Sequence, residues 1–289
     1  MIHASVQDLD SIIGDSSAIQ QIRELIHQVA PTEATVLIKG NAGSGKSLIA
    51  QHIHQRSNRS DKAFITFNFS SIKETAQLDS LFGDSNTPGK WLLAKGGSIF
   101  FKEISLMNSA VQERLLNTLK QQSEKEVRIL SSSRESIFPS DFNQELYYRL
   151  NTIEVNSPRL SNRTEDIPEL FDYFLEHFKS LYRKTNSSVA PLVIEQLKQY
   201  EWPGNVRELK RAIERVVVIG TSKIEMKDII PSFSTHIIRE DKLKLDELEE
   251  RHIRMILTIN TSNIQKSAAE LGISRAALYR RIEKYEIIL

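Results

Sequence analysis

The stretch "VLIKGNAGSGKSLIAQHI", residues 36–53, constrains the fold more than any other part of the chain. A short apolar run leads into a glycine-rich loop, and a helical pattern leads out. Gly40, Asn41, Ala42, Gly43, Ser44, Gly45, Lys46 and Ser47 satisfy G-x-x-x-x-G-K-[ST] at every fixed position. Glycines let backbone N–H groups wrap a phosphate chain, and the helix that follows points its positive end at that charge. Lys46 is then expected to reach the terminal phosphates, and the Ser47 hydroxyl to hold Mg²⁺. The predicted ligand is ATP or ADP, bound by residues 40–47.

Such a loop needs a strand before it and a helix after it, and the surrounding sequence supplies the rest of a sheet. Strands are predicted at Val36–Lys39, Phe64–Phe67, Ser98–Phe101, Val127–Leu130 and Thr152–Val155, with helices such as Lys46–Gln55 and 109–122 between them. Alternation of this kind predicts a parallel sheet covered on both faces by helices. From about 164 to 219 the pattern is all-helical, with a turn at Trp202-Pro203-Gly204. Residues 231–242 are polar and weakly patterned and read as a linker. The predicted division is an α/β nucleotide-binding part at 1–160, an α-helical lid at 161–232, a linker at 233–243 and a last helical domain at 244–289.

Bulk properties exclude several classes. Lys and Arg number 38 against 37 Asp and Glu, so any basic surface must be local. With no cysteine, disulfide and thiol chemistry are out. The first residues do not form a signal peptide, and no run approaches membrane-spanning length, which predicts a cytoplasmic location without membrane contact. His52 and His54 lie two apart on a predicted helix and face different ways, so they do not make a metal site.

"IQKSAAELGISRAALYRRIEKY", 264–285, reads as helix, turn, helix. Ala268, Ala269 and Leu271 are expected to pack the first helix, Gly272 to make the turn, Ile273 to plug the core and Ser274 to cap the second helix. Leu278 and Ile282 should face inward, leaving Arg275, Tyr279, Arg280, Arg281 and Lys284 exposed. With Ser274, these form a candidate reading surface for double-stranded DNA: Arg275 in the first turn suits a base edge, and at least one of Arg280 and Arg281 suits a phosphate. The alternative is a helical hairpin used only for self-association. Upstream, Leu245, Leu248, His252, Met255, Ile256 and Ile259 fall at helical spacing and predict a dimerisation helix.

Taken together, "IIGDSSAIQQI" (12–22), the phosphate loop, "LFG" (81–83), "GGSIFFKEI" (96–104), "ELYYRLN" (145–151), "RTEDIPEL" (163–170), "WPGNVRELKRAIER" (202–215) and "AAELGISRAALYRRI" (268–282) resemble the bacterial enhancer-binding regulators that act with sigma-54. That family couples an AAA+ module to a Fis-type helix-turn-helix. The resemblance implies an ATP-binding ring protein that remodels sigma-54 polymerase on DNA, assembled as a homodimer or higher homo-oligomer. RNA polymerase or a separate sensory regulator would be further partners. Some biofilm and flagellar members bind cyclic di-GMP beside the phosphate loop; the matching stretch is "DLDSIIG" (8–14), with Asp10 at their basic position.

The chain departs from that pattern at several points. Lys102 stands where the family has an Mg²⁺-binding aspartate, while Glu103, the water-polarising glutamate, is retained. Twelve residues, 84–95, join Gly83 to Gly96 with nothing like the GAFTGA motif that touches sigma-54. Asn143 replaces a first arginine finger; Arg149 retains the second, and Arg207 the lid arginine. Ser133-Arg134 occupies the sensor position. Losing one preorganised charge-stabilising group costs about 10²–10³ in rate, and an arginine finger about 10³–10⁵. The sequence therefore predicts a DNA-binding regulator whose AAA+ module binds nucleotide or serves assembly, with Glu103 vestigial. The alternative is a working ATPase that activates sigma-54-dependent transcription. From sequence alone Lys102 reads as drift in a disused site rather than as a fixed cation replacing Mg²⁺. Trp91 is expected to pack in the core.

Overall fold

A computed structural model describes residues 12–121, 126–134, 142–184, 188–190, 192–221, 223–230, 249–250, 252–254, 256–257, 260, 263–285 and 287. The chain divides into two compact units that meet between residues 230 and 231. The predicted linker at 233–243 and the apolar positions Leu245, Leu248, Met255 and Ile259 lie outside the described residues.

The first unit opens with α1 (Ser17–Val29), whose Ile19, Ile22, Ile26 and Val29 form one buried stripe. The Ser16 hydroxyl caps it by accepting from Ile19 N, and Arg128 closes its other end by donating to the carbonyls of Val29 and Ala30 at 2.9 and 2.7 Å. Then follow β1 (Val36–Lys39), α2 (Lys46–Gln55), β2 (Phe64–Asn68), α3 (Gln77–Phe82), α4 (Lys90–Leu93), β3 (Ser98–Lys102), α5 (Ser109–Gln121), β4 (Arg128–Ser133), α6 (Gln144–Leu150) and β5 (Ile153–Asn156). The sheet is parallel, in the order β2-β3-β4-β1-β5. Val36 and Ile38 pack on one face against α1 and α2, and Leu37 on the other beneath α3 to α6, as a period of two requires. β4 runs three residues past its predicted end because Ser131, Ser132 and Ser133, polar by composition, are fully enclosed between β1 and β3; the Ser131 hydroxyl donates to the Val36 carbonyl at 3.2 Å.

The connection at 84–95 is a compact turn and a short helix. The Asp84 carboxylate accepts from the backbone N–H groups of Asn86 and Thr87, both at 2.8 Å, and from the Thr87 hydroxyl at 3.0 Å. Trp91 is buried against Phe82 and Phe101, the predicted core role.

The lid comprises α7 (Ile167–Tyr182), α8 (Val193–Gln199), α9 (Asn205–Ile219) and α10 (Met226–Ile229), with a two-stranded parallel ladder of β6 (Ser188–Val189) and β7 (Lys223–Ile224). Trp202 is fully buried and donates its indole N–H to the Leu197 carbonyl at 2.8 Å.

In the second unit, α11 (Ile264–Glu270) and α12 (Arg275–Lys284) form the predicted helix pair. Gly272 adopts φ +67 at the turn. The core is Ile253, Leu257, Ala268, Leu278, Ile282 and Ile287, with Leu271 and Ile273 packed against it. One expectation needs correction. Ala269 is exposed, and Ser267 takes the buried place beside Ala268. His252, on the predicted dimerisation stripe, is exposed, while Ile253 and Leu257 of the same segment pack in this unit's own core.

Candidate functional site

Four strand ends converge outside the carboxyl edge of the sheet. β1 delivers the phosphate loop, β3 delivers Lys102 and Glu103, β4 delivers Arg134 and β5 delivers Ser157. β1 lies between β4 and β5, so the loop opens where the strand order reverses, the usual ligand position in such sheets. Gly40, Gly43 and Gly45 all take positive φ, and Gly45 leads directly into α2.

The lid clasps the loop from the other side. Asn205, itself buried at φ +54, donates to the Ala42 carbonyl at 3.0 Å and accepts from Leu160 N. Arg207 N donates to the Gly43 carbonyl at 3.3 Å. A Cβ on Gly43 would lie 2.2 Å from the Gly204 carbonyl oxygen, so only glycine lets α9 approach this closely. Arg163 donates to the Ser44 carbonyl at 3.2 Å, and so does the Ser157 hydroxyl.

Between loop and lid lies a cleft of about 500 Å³. Lys46, Lys102, Arg134, Arg207 and Lys210 line it, with Glu103 as its one carboxylate. Lys46 Nζ donates to the carbonyls of Gly40 (2.6 Å) and Asn41 (3.1 Å) and stands 3.6 Å from Glu103 Oε1. Burial pulls the Lys46 pKa below its ordinary value, opposed by Glu103. Arg134 stands 3.6 Å from the other Glu103 oxygen. Lys102 makes no side-chain hydrogen bond or ion pair with another described residue.

The cleft shares Gly45, Leu48, Phe174 and Val206 with an apolar pocket that continues to Ile12, Ile22 and Tyr173. Two buried polar atoms there, Ser44 Oγ and Arg163 Nε, have no partner. An apolar pocket with unsatisfied polar atoms beside a cationic cleft is the kind of surface that takes a base and its phosphates. Val206 is half-buried and lines this site.

Mg²⁺ is a different matter. A hard divalent cation takes oxygen ligands, carboxylates first. The Ser47 hydroxyl is exposed at the cleft, but the single carboxylate is already held by Lys46 and Arg134, and an ammonium group ends β3. The donor set does not fit the ion.

Sequence reasoning named the loop, Arg207 and Glu103, which the structure brings to one cleft. It missed Arg163, Asp166 and Asn205, which join loop, lid and α1; the signal was in "RTEDIPEL" and "WPGNVREL", whose polar residues have no helical-face explanation. Arg149 is not brought to the phosphate cleft: it is exposed on α6, paired with Glu145 at 3.3 Å, beside Thr35 and Tyr148. Asn143 caps α6, accepting from Leu146 N at 3.0 Å. Asp10, the cyclic di-GMP position, is outside the described residues.

In the second unit the Ser274 hydroxyl caps α12 by accepting from Ala277 N. Arg275, Tyr279, Arg280 and Lys284 are exposed. Arg281 departs from the expected exposed set: it is half-buried, and its Nε donates to Glu249 Oε1, while Tyr285 donates to the other Glu249 oxygen. The hydrogen bonds from Tyr285 and Arg281 hold the Glu249 carboxyl below its ordinary range.

A phosphate loop on a parallel sheet, clasped by a helical lid and followed by a helix-turn-helix, defines an AAA+ module joined to a DNA-binding domain. The family comparisons agree segment by segment. Residues 12–156 match the sigma-54 interaction domain, 161–244 the AAA+ ATPase lid domain and 244–285 the bacterial regulatory protein, Fis family. The chain belongs to the sigma-54 interaction family of bacterial transcriptional regulators. It is 34% identical over 304 residues to the transcriptional regulatory protein ZraR of Salmonella typhi, covering 94% of this chain and 68% of that one. It is 32% identical to the nitrogen fixation protein AnfA of Azotobacter vinelandii, covering 96% and 58%. NtrX from Brucella abortus, solved in complex with ADP, superposes with a TM-score of 0.72 at 27% identity, covering 97% of this chain and 70% of that one. NtrX in complex with ATP gives 0.71 at 27% identity, covering 96% and 69%. No described helix is long and apolar enough to cross a membrane.

Proposed function

We propose that this regulator binds ATP or ADP in its AAA+ module as a structural ligand, hydrolyses it slowly or not at all, and acts through DNA binding and self-association without remodelling sigma-54 polymerase. The observation that carries this reading is the state of Glu103. A residue that polarises water needs a free carboxylate and a partner metal; here both oxygens face cations, and Lys102 adds a third positive charge nearby. Supporting it, Asn143 serves as a helix cap, and 84–95 is a pinned turn with no projecting tip. Arg149 could act as a finger only on a neighbouring subunit's nucleotide, since its own cleft lies elsewhere. The NtrX complexes with ADP and ATP favour nucleotide binding at the equivalent place.

The test is phosphate release with Mg²⁺ across a range of protein concentrations, alongside open-complex formation on a sigma-54 promoter. Negligible turnover and no open complex are expected. Rapid turnover, or promoter opening with this protein as sole activator, establishes the working ATPase instead. The intact phosphate loop and the retention of Glu103, Arg149 and Arg207 favour that second reading.

A further inference from the structure

The charges around the cleft do not balance. Five cationic side chains line it: Lys46 at the start of α2, Lys102 at the end of β3, Arg134 after β4, and Arg207 and Lys210 from α9. One carboxylate, Glu103, faces them, leaving four positive charges in excess. Two further observations show where that excess is free to act. Glu103 spends its charge on Lys46 and Arg134, so neither Lys102 nor Arg207 is neutralised by it. The Lys102 side chain has no hydrogen bond or ion pair among the described residues, although it ends a buried strand beside the loop.

A fully ionised nucleoside triphosphate carries about four negative charges, and its magnesium complex about two. The cleft therefore complements the metal-free anion better than the metal complex. A cation fixed on the protein does part of what a dissolved Mg²⁺ does elsewhere, neutralising phosphate oxygens, but brings no water ligands and cannot polarise one for attack. An Mg²⁺ arriving with the nucleotide would meet Lys102 and find no free carboxylate ligand.

We propose that this AAA+ module binds its nucleoside triphosphate without magnesium, with the Lys102 ammonium as a built-in counter-charge to the phosphates. The inference rests on the nucleotide-binding reading above and makes it specific. It also reverses what the sequence alone suggested for Lys102. A drifted residue needs no company, whereas here four other cations share its cleft and the only acid is engaged.

The test is titration calorimetry of the full chain with ATP in excess EDTA and, separately, in excess Mg²⁺. An affinity in EDTA equal to or tighter than in Mg²⁺ supports the proposal; an affinity weaker in EDTA overturns it while leaving nucleotide binding intact. Heat-free titrations in both buffers, with no thermal stabilisation by ATP, overturn the nucleotide reading itself. Lys102→Asp should lose about 10- to 100-fold of the EDTA affinity, the worth of one charge-assisted contact, and become magnesium-dependent. Lys102→Arg should bind as the parent does in EDTA. Both variants change a half-buried strand end, so circular dichroism before titration confirms folding. If folded Lys102→Asp binds ATP in EDTA as tightly as the parent, Lys102 is not the counter-charge.

Discussion

Asp166 ties three parts of the first unit together, and its removal tests how the lid is held. The side chain is 1% exposed. It accepts from Ser16 N at 2.8 Å and from the Ser16 hydroxyl at 2.7 Å, and Arg163 Nη1 lies 3.9 Å away. Arg163 is itself 4% exposed and reaches the phosphate loop through the Ser44 carbonyl. In Asp166→Ala, the buried Ser16 N–H loses its partner, at about 1–3 kcal/mol. Arg163 also loses its counter-charge. Breaking a buried pair costs about 3–5 kcal/mol, and the long 3.9 Å separation puts this one at the low end. These losses overlap, so the expected total is about 3–5 kcal/mol. At about 2–4 °C per kcal/mol for a unit of this size, the melting temperature should fall by about 6–20 °C. Urea and thermal unfolding followed by circular dichroism measure it. Ser16→Ala, which removes the cap and the hydroxyl bond to Asp166 but keeps the backbone one, should cost about 1–3 kcal/mol. An Asp166→Ala protein within about 1 kcal/mol of the parent refutes the reasoning, because it would mean the buried guanidinium needs no carboxylate.

Three further outcomes are expected. Gly43→Ala places a methyl 2.2 Å from the Gly204 carbonyl at a φ of +79, so it should cost more than about 1 kcal/mol and weaken nucleotide binding by pushing α9 off the loop; thermal melts with and without ATP read both effects. His54 is buried against Phe64 with its Nδ1 3.0 Å from the Ser98 hydroxyl, and burial holds its pKa below the ordinary imidazole value. The unfolded chain then binds the extra proton first, so the stabilisation is full above about pH 6.5 and declines as pH falls from there towards the lower folded pKa. The stability gap between parent and His54→Gln, from urea midpoints, should narrow over that window. Arg275→Ala should lower the preference for a duplex selected by the parent over random DNA by about 1–3 kcal/mol if Arg275 reads a base edge bidentately. Arg281→Ala should instead lower the melting temperature of the second unit, since Arg281 braces Glu249; unchanged melting with uniformly weaker DNA binding would return it to the phosphate role.

Much of the fold was legible because it rests on periodicity. β1 and α2 fall at their predicted bounds, and β3 extends only one residue further, to Lys102. Parallel strands buried on both faces read as apolar runs, and the phosphate loop fixes where the first one ends. What stayed hidden has two physical causes. Ser131–Ser133 are buried strand, yet hydropathy cannot see a serine whose hydroxyl is satisfied inside the sheet. Asp166, Arg163 and Asn205 act across 150, 119 and 163 residues of chain, and no local pattern encodes a partner that far away. In the second unit, the stripe read for dimerisation runs through His252, and the adjacent register through Ile253 and Leu257, which packs the unit's own core, was not singled out because neighbouring helical registers look alike in sequence.

The positions that set this chain apart from the sigma-54 activator pattern are not vacancies in the structure. Asn143 caps α6 through its side chain and is held at its own N–H by Gln112. Asp84 organises the turn that occupies 84–95, and Trp91 anchors that segment to Phe101 on β3. Each substitution therefore has a local structural duty that an arginine finger or a projecting loop would not fill. Restoring the family residue one position at a time would remove a cap or a turn before it restored any chemistry. An Asn143→Arg variant would lose the α6 cap, at about 1 kcal/mol, while Lys102 still faced the phosphates. On the proposed reading, in which hydrolysis is slow or absent, recovering it would need a carboxylate at 102, a finger at 143 and a freed Glu103 together, because the groups that stabilise phosphoryl transfer act as a unit. Lys102 differs from these: its side chain makes no hydrogen bond or ion pair among the described residues, which leaves it available for the phosphate role proposed above.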